Sequence, residues 1–233
     1  MDTRTPVLLA WSGGKDSALA LDELRRSPLF APVGLLTTMT EGRDRIHVHG
    51  VRRDLLLQQV EALGLPLTAV PLPPGASNAV YQERMAEALA PHRERGIRHV
   101  AFGDLFLEDI RQFREQSLAA TGLGMEPLFP LWEKPTAELA RQFVERGFRA
   151  LLVAVDAARL APSFAGRPFD LDLLRDLPEG IDPCGENGEF HTFVTDGPGF
   201  STPVPCTPGP LSADGPYQLC DLLPVPARRT VDT

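Results

Sequence analysis

Residues 12–17 constrain the fold of this chain more than any other segment, because they read Ser-Gly-Gly-Lys-Asp-Ser between two regular stretches. Residues 7–11 are apolar and strand-like, and residues 18–24 are helix-like. A strand, a glycine turn and a helix in this order bring backbone N–H groups together at the positive end of the helix dipole. The glycines let an anion approach without a Cβ in its path, and Lys15 adds a positive charge. The sequence therefore predicts an anion-binding turn.

The spacing of this turn differs from that of two common phosphate-binding loops. The P-loop has four residues between its glycines, and the dinucleotide fingerprint reads Gly-x-Gly-x-x-Gly; this segment matches neither. Lys15 is one of only two lysines in a chain whose other basic residues are arginines, so it is not background composition. The alternative is an ordinary turn in which Asp16 or Ser17 caps the helix. The residues predicted to contact phosphate are Ser12, Gly13, Gly14, Lys15, Asp16 and Ser17.

Composition narrows the class of protein. With 233 residues, a net charge of −8 and a pI near 5.2, the chain lacks the basic excess typical of nucleic-acid-binding surfaces. Its apolar runs are shorter than the roughly 20 residues of a membrane span, and residues 1–4 do not resemble a signal peptide. We therefore expect a cytoplasmic protein that binds neither nucleic acid nor membrane. Its three cysteines lack Cys-x-x-Cys spacing, which favours neither a zinc knuckle nor a redox pair.

The first half of the chain alternates strand-like and helix-like segments. Strands are predicted at residues 7–11, 33–39, 67–70 and 99–102, and helices at residues 18–26, 50–63 and 79–90. Repeated β-α units favour an α/β fold, a mostly parallel sheet with helices on both faces. Ligands bind such sheets at the carboxyl ends of the strands. Besides the glycine turn, the residues expected at these ends are Thr38, Met39, Gly103 and Asp104.

The second half begins near residues 126–132, where two prolines predict a linker or an extended entry segment. We place a domain boundary there, with an α/β domain over residues 1–125 and a smaller α+β domain over residues 126–233 that ends in a proline-rich tail. The elements expected in the second part are a helix at residues 136–146 with Thr136 as its N-cap, strands at residues 150–155 and 190–194, and an edge strand at residues 217–223.

The glycine turn resembles the PP-loop of ATP pyrophosphatases, an adenine nucleotide alpha hydrolase-like fold. Residues 182–192 and 196–198 resemble the Cys-Gly-Glu-Gly-Gly-Glu-aromatic-Glu-Thr … Asp-Gly-Pro signature of the diphthine–ammonia ligase family. Residues 130–132, 147–148 and 163–167 agree with the same family, so the similarity runs from about residue 7 to residue 200. The resemblance implies an enzyme that uses ATP and Mg²⁺ to adenylate a carboxylate, releases pyrophosphate, and transfers ammonia to form an amide.

The resemblance also implies roles for individual residues. Glu186 and Glu189 lie three positions apart, and His191 follows two positions later. Two carboxylates and an imidazole in this arrangement can orient ammonia, accept its proton or bind Mg²⁺. For Asp16, Mg²⁺ binding and helix capping remain equal alternatives. The catalytic candidates are Lys15, Asp16, Glu186, Glu189 and His191. The candidates for substrate binding are Arg111, Glu115, Arg167, Gly185 and Glu186, because arginine can hold a carboxylate or phosphate through paired hydrogen bonds.

The chain departs from the diphthine-specific branch in its second half. His191, a group that ordinarily titrates near neutrality, stands where the family usually has glutamate, and Asn187 stands where it has glycine. Residues 103–111 lack the family's Tyr-Gln pair. We therefore expect a bacterial branch of the family with another acceptor, either a small molecule or a protein-borne carboxylate. A homodimer remains open.

Other functions remain as alternatives. One is a tRNA-modifying PP-loop enzyme of the thiolase or lysidine synthase type, in which Cys184 would be a nucleophile; a small buried residue is the other interpretation of Cys184. Another is a module that binds ATP or AMP without turnover. His47 and His49 are two positions apart, so in a strand they would share one face and could bind a metal ion. No third ligand is evident in the sequence, and a polar loop is the better interpretation.

Overall fold

The computed structural model describes residues 2–42, 45 and 50–225 of the chain. Nine strands and six helices form its regular elements in the described residues. The strands are β1 (Thr5–Ala10), β2 (Phe30–Thr40), β3 (Leu67–Leu72), β4 (His99–Ala101), β5 (Glu126–Leu128), β6 (Arg149–Asp156), β7 (Phe190–Asp196), β8 (Cys206–Asp214) and β9 (Tyr217–Pro224). The helices are α1 (Lys15–Arg26), α2 (Arg53–Leu63), α3 (Asn78–Glu94), α4 (Glu108–Ala120), α5 (Thr136–Glu145) and α6 (Leu171–Asp176).

The first five strands form one parallel sheet in the order β3-β2-β1-β4-β5. Side chains alternate across β1: Val7 and Leu9 belong to the apolar cluster that contains α1 and α2, whereas Leu8 packs with Leu89 of α3 and Leu118 of α4. Helices therefore cover both faces, and the α/β fold prediction is confirmed. The strand order reverses between β1 and β4, the switch point beside which ligands bind in open α/β sheets.

The second half of the chain contains a separate antiparallel sheet in the order β7-β6-β9-β8. Phe143, Phe148, Phe169 and Phe190 form a chain of ring contacts beneath it, and the same core cluster extends to Leu19 of α1. The two sheets therefore share one apolar core through α1. The strand predicted at residues 217–223 is present as β9, but its predicted edge position was wrong, because β9 lies between β6 and β8. The edge strand is β8, which contains prolines. Proline is tolerated there because an edge strand has a hydrogen-bonded neighbour on one side only.

The junction between the halves differs in detail from the sequence expectation. Glu126–Leu128 forms strand β5, which pairs with β4 in the first sheet, so the extended segment begins inside that sheet. The boundary after residue 125 stays a prediction. Thr136 is the first residue of α5 rather than its N-cap, which is Pro135, because the Thr136 hydroxyl donates to Asp182 at 2.6 Å.

Several helices differ from the sequence expectation. The α2 helix begins at Arg53 rather than at residue 50, although it ends as expected at Gly64 in the left-handed conformation. The α4 and α6 helices were not predicted at all. None of the helices in the described part of the chain is long and apolar enough to cross a membrane.

Candidate functional site

A cleft of about 560 Å³ lies at the carboxyl ends of β1, β2 and β4. It is bounded by the glycine turn on one side, by α3 and α4 on another, and by the loop before β7. The sequence-predicted residues that line it are Ser12, Asp16, Ser17, Thr38, Gly103, Asp104, Glu186 and His191. The cleft therefore brings residues from both halves of the chain to one place.

The glycine turn leads directly into α1. Gly14 is the N-cap residue, so neither Asp16 nor Ser17 caps the helix, and the capping interpretation was wrong. The helix begins at Lys15, three residues earlier than predicted, which places Asp16 and Ser17 in its first turn. The N–H groups of a first turn have no acceptor within the helix, and this end of α1 faces the cleft. The geometry suits an anion.

Strand β7 and helix α2 hold the turn in place. Gly13 adopts a left-handed φ of 80°, and its carbonyl accepts hydrogen bonds from the Val194 N–H at 2.9 Å and from Gln59 at 3.0 Å. The Gln59 side chain also donates to the Val194 carbonyl at 2.6 Å. The Lys15 N–H donates to the Thr192 hydroxyl at 3.1 Å. The geometry of the glycine turn thus depends on contacts with the second half of the chain.

Glycines permit close backbone contacts around the turn. A Cβ on Gly14 would lie 3.1 Å from the Thr192 carbonyl oxygen. A Cβ on Gly103 would lie 3.0 Å from both the carbonyl carbon and the carbonyl oxygen of Asp16, and 3.1 Å from the Ser17 nitrogen. These glycines are therefore required by protein packing, in addition to any contact with a bound anion.

We expect Gly103→Ala to lower stability by about 1–3 kcal/mol and to weaken nucleotide binding, because overpacking against rigid backbone forces atoms to move. The atoms that move belong to the first turn of α1. The measurements are chemical denaturation and titration with a fluorescent ATP analogue. In the control Gly34→Ala, the nearest atom is a Leu8 side-chain methyl at 3.1 Å. Equal losses of nucleotide affinity in both variants would contradict the assignment.

Buried Lys15 forms an ion pair with the partly exposed Asp16, which lines the cleft. The Lys15 Nζ lies 2.9 Å from Asp16 Oδ2 and 5.6 Å from the centre of the Phe190 ring. Burial lowers the pKa of Lys15, but Asp16, Cys184 and Glu186 together outweigh this effect and hold that pKa above its ordinary value. Burial raises the pKa of Asp16 in spite of the attraction of Lys15. Lys15 is therefore a fixed positive charge at the base of the turn.

The second Asp16 oxygen fits a cation. Oδ1 is buried and lacks a hydrogen-bond partner among the described residues, and Asp16 lines the cleft. Within the described part of the chain, no three histidine, cysteine, aspartate or glutamate side chains are grouped as a metal cage made of protein alone. Mg²⁺ is usually bound through one or two carboxylates together with substrate phosphates, which is the arrangement that Asp16 offers.

Glu186 enters the cleft from the loop before β7. Its Oε1 accepts the Leu105 N–H at 2.8 Å, and its own N–H donates to Asp182 at 3.2 Å. Burial raises the pKa of Glu186 to about 7 against the effect of the Leu105 hydrogen bond, and the nearby carboxylates of Asp16 and Asp104 add to the rise. Glu186 therefore changes its protonation state near neutral pH.

Glu189 occupies a different position from Glu186. Its side chain is fully buried, and Oε1 accepts hydrogen bonds from the Asp182 N–H at 3.3 Å and from Asn187 at 3.1 Å. Arg159 lies 3.5 Å from the same oxygen. Glu189 does not line the cleft, and its hydrogen bonds hold the loop that carries Glu186. Its catalytic role stays a prediction.

His191 lies on the cleft wall, with its ring 5.7 Å from the ring of Tyr217. Burial lowers the pKa of His191 to about 4, and Lys15 acts in the same direction. The expectation of titration near neutrality was therefore wrong. At neutral pH His191 is an uncharged hydrogen-bonding group.

Several predicted substrate ligands lie away from the cleft. Arg111 bonds to Glu115 at 2.9 Å, and its guanidinium lies 4.7 Å from the centre of a Trp132 ring. Arg167 pairs with Asp176 at 2.7 Å in the second half of the chain. Neither arginine lines the cleft, nor does Glu115. The role of these three residues in substrate binding stays a prediction.

The cleft also contains residues that sequence reasoning missed. Arg114 lies one helical turn beyond Arg111 and lines the cleft, as does Tyr81 of α3. No signal identified Arg114, because α4 was not predicted and its faces could not be assigned. Met39 is partly buried against the apolar core and does not line the cleft, although Thr38 beside it does.

Cys184 is not an activated nucleophile. It is buried, and its thiol donates to the Thr136 carbonyl at 3.3 Å. Burial raises the pKa of Cys184 to about 12, against the effect of Lys15, so the thiolate required for nucleophilic attack is not populated at neutral pH. His47 and His49 lie outside the described residues.

A parallel sheet with this glycine turn beside its switch point is typical of PP-loop nucleotide-binding proteins. The family model of the diphthamide synthase N-terminal domain matches residues 4–125, and that of the C-terminal domain matches residues 135–206. The chain belongs to the diphthamide synthase family.

Three relatives carry the name diphthine–ammonia ligase. The protein of Danio rerio is 33% identical over 103 residues, which cover 42% of this chain and 40% of the relative. Those of Bos taurus and Homo sapiens are 29% and 28% identical over 105 residues, covering 42% of this chain and 38% of each relative. The matched regions thus span about two fifths of these relatives.

Proposed function

We propose that this protein is an ATP-dependent amide ligase that adenylates a carboxylate and then transfers ammonia to it. The observation that carries the proposal is the shared cleft, in which Asp16 and Ser17 of the PP-loop face Glu186 of the second half. Family membership and the named activity of the relatives support it. The proposed cofactors are ATP as a substrate and Mg²⁺.

The PP-loop is the proposed binding site of the ATP phosphates. Ser12 and Ser17 offer hydroxyl groups that lie 3.2 Å apart, and the first turn of α1 offers backbone N–H groups. Asp16 would hold Mg²⁺ through Oδ1 together with the phosphates. When bound, Mg²⁺ supplies charge neutralisation at the phosphate oxygens.

Adenylation joins the acceptor to AMP. A carboxylate oxygen attacks the α-phosphorus, the bond to the bridging oxygen breaks, and pyrophosphate leaves with the electron pair. Lys15 stabilises the negative charge that builds on pyrophosphate, because its charge is fixed at the base of the PP-loop and is buried from water. The attraction between charges is stronger in such a site than in water.

Amide formation requires a proton acceptor. The ammonia nitrogen attacks the acyl carbon, the bond from that carbon to the AMP oxygen breaks, and one proton must leave the nitrogen. Glu186 can take this proton, since its pKa of about 7 leaves a substantial fraction ionised at neutral pH and gives it useful basicity. Neutral His191 lies on the same cleft wall and offers a hydrogen bond without a charge.

The tRNA thiolase alternative has less support from the molecule. Sulfur transfer of that type needs a reactive cysteine, and the pKa of Cys184 is about 12 as a result of burial. The net charge of −8 also disfavours a broad RNA-binding surface. A module that binds ATP without turnover is distinguished by the experiment below.

We expect ATP to be split between its α- and β-phosphates. Purified protein supplied with ATP, Mg²⁺, ammonia and the small-molecule fraction of a cell extract should form AMP and pyrophosphate in equal amounts, as measured by ion-exchange chromatography. Omitting the extract fraction is the control and should reduce both products. Formation of ADP and phosphate, or binding of ATP without any AMP, would contradict the proposal.

A further inference from the structure

One wall of the cleft carries a positioned guanidinium that the proposed chemistry does not use. Arg114 of α4 contacts Asp104 Oδ2 through its Nε at 3.3 Å, and its guanidinium carbon lies 5.2 Å from the centre of the Phe102 ring. Asp104 and Phe102 belong to the end of β4, and Tyr81 of α3 is a further polar neighbour of Arg114. Arg114 of α4 is therefore contacted both by the segment that follows β4 and by α3.

The charges around the cleft single out this residue. The carboxylates that line it belong to Asp16, Asp104 and Glu186, whereas Arg114 is the only lysine or arginine among the described residues that line it. Lys15 is paired with Asp16 below the PP-loop. An acceptor carboxylate that binds beside the negative charges of ATP is repelled by them and needs a cation to offset this repulsion. Arg114 lies in the cleft wall and can supply that positive charge.

Arg114 has the hydrogen-bonding capacity for this task. A guanidinium has five N–H donors, and the contact with Asp104 uses Nε. Paired N–H groups match the two oxygens of a carboxylate, and the guanidinium packs over the Phe102 ring. Phe113 and Tyr81 line the cleft nearby and offer aromatic surface to an apolar body.

We infer that Arg114 binds a carboxylate of the acceptor, that Asp104 positions Arg114 for this contact, and that the acceptor is consequently an anionic molecule. The inference rests on the proposed function and specifies its substrate class. It places acceptor recognition on the β4–α4 side of the cleft. An acceptor whose binding group is a cation would meet repulsion from Arg114.

The test uses the full chain with Mg²⁺ and α,β-methylene-ATP, which cannot be split at the α–β bond. The small-molecule fraction of a cell extract is separated by ion exchange into an anionic pool and a cationic pool, and each pool is ultrafiltered with the protein. Mass spectrometry measures the compounds that each variant retains. The variants are Arg114→Gln, Arg114→Lys and the control Arg84→Gln, which removes an α3 arginine paired with Glu87 outside the cleft.

We expect the wild type and Arg84→Gln to retain an acid from the anionic pool. Arg114→Gln should retain about tenfold less, because a charge-assisted hydrogen bond is lost, and Arg114→Lys should retain an intermediate amount. Affinity for α,β-methylene-ATP should change by less than about twofold, which also shows that the variants are folded. The same acid should support AMP formation by the wild type.

Three results would overturn the inference. The first is that Arg114→Gln and the wild type retain the same compounds, or that neither protein retains any compound. The second is a ligand found only in the cationic pool. The third is a loss of affinity for α,β-methylene-ATP in Arg114→Gln that matches the loss of the acid, since Arg114 would then belong to the nucleotide site. Retention that depends on Arg114 without AMP formation contradicts the proposed function instead.

Discussion

Replacing Glu186 with glutamine is expected to lower the rate of amide formation by about 10²–10⁴-fold, the usual contribution of a general base. Glutamine keeps an oxygen for the Leu105 N–H, which Glu186 accepts at 2.8 Å, but it cannot take a proton from ammonia. Adenylation precedes that proton transfer, so acceptor-dependent exchange of labelled pyrophosphate into ATP should persist. The two assays together separate the loss of the second step from a loss of binding.

The pH dependence tests the same assignment. Because burial raises the pKa of Glu186 to about 7, the wild-type rate divided by the concentration of free NH₃ should rise with pH through this value as the carboxylate forms. Glu186→Gln should lose this rise. The control is Glu189→Gln, which alters a buried carboxylate that shapes the loop; it should lower stability and leave the pH profile in place. An unchanged pH profile in Glu186→Gln would refute the assignment of Glu186 as the base.

Stability provides a check that the Glu186→Gln protein is folded. The folded-state pKa of about 7 lies above the ordinary value of 4.5, so ionisation of Glu186 opposes folding as the pH rises between these values. Below about pH 4.5 the carboxyl group is protonated in both the folded and the unfolded state, so it does not lower the free energy of unfolding. Glu186→Gln should therefore have a higher Tm than the wild type at pH 8 and a similar Tm at pH 4.

Local sequence patterns predicted the parts of the fold that depend on neighbouring residues. The PP-loop was recognisable because its function requires glycines and a lysine within six consecutive positions. The strands of the parallel sheet were recognisable as short apolar runs, since both faces of such a sheet are covered. Strand β8 was missed because its prolines are unfavourable inside a sheet and are tolerated on an edge.

The residues that meet in the cleft could not be predicted in the same way, because long-range packing decides which of them come together. Gln59 and Thr192 lie 133 positions apart in sequence, yet both hold the PP-loop. Glu186 and Glu189 belong to one motif, but the turn at Gly185, with a left-handed φ of 66°, directs one to the cleft and buries the other. No periodicity distinguishes these two glutamates.

Replacing Lys15 with methionine is expected to lower acceptor-dependent pyrophosphate exchange by about 10²–10³-fold, the usual effect of removing one preorganised electrostatic contact. Methionine fills most of the volume of the lysine stem, so the change removes a charge without opening a large cavity. The loss should appear in the maximal rate more than in the KM for ATP, because charge builds on pyrophosphate only as the bond breaks.

Two further variants decide how Lys15 acts. Lys134→Met removes the only other lysine, which pairs with Glu23 at 2.7 Å outside the cleft, and should leave exchange within about twofold of the wild type. Lys15→Met leaves the partly buried Asp16 carboxylate without its partner and should lower the Tm. In the double variant Lys15→Met/Asp16→Asn, the Tm should recover, and exchange should stay below that of Asp16→Asn alone, because Asp16 is itself the proposed Mg²⁺ ligand. Recovery of exchange together with the Tm would mean that Lys15 only neutralises Asp16 and does not act on the leaving pyrophosphate.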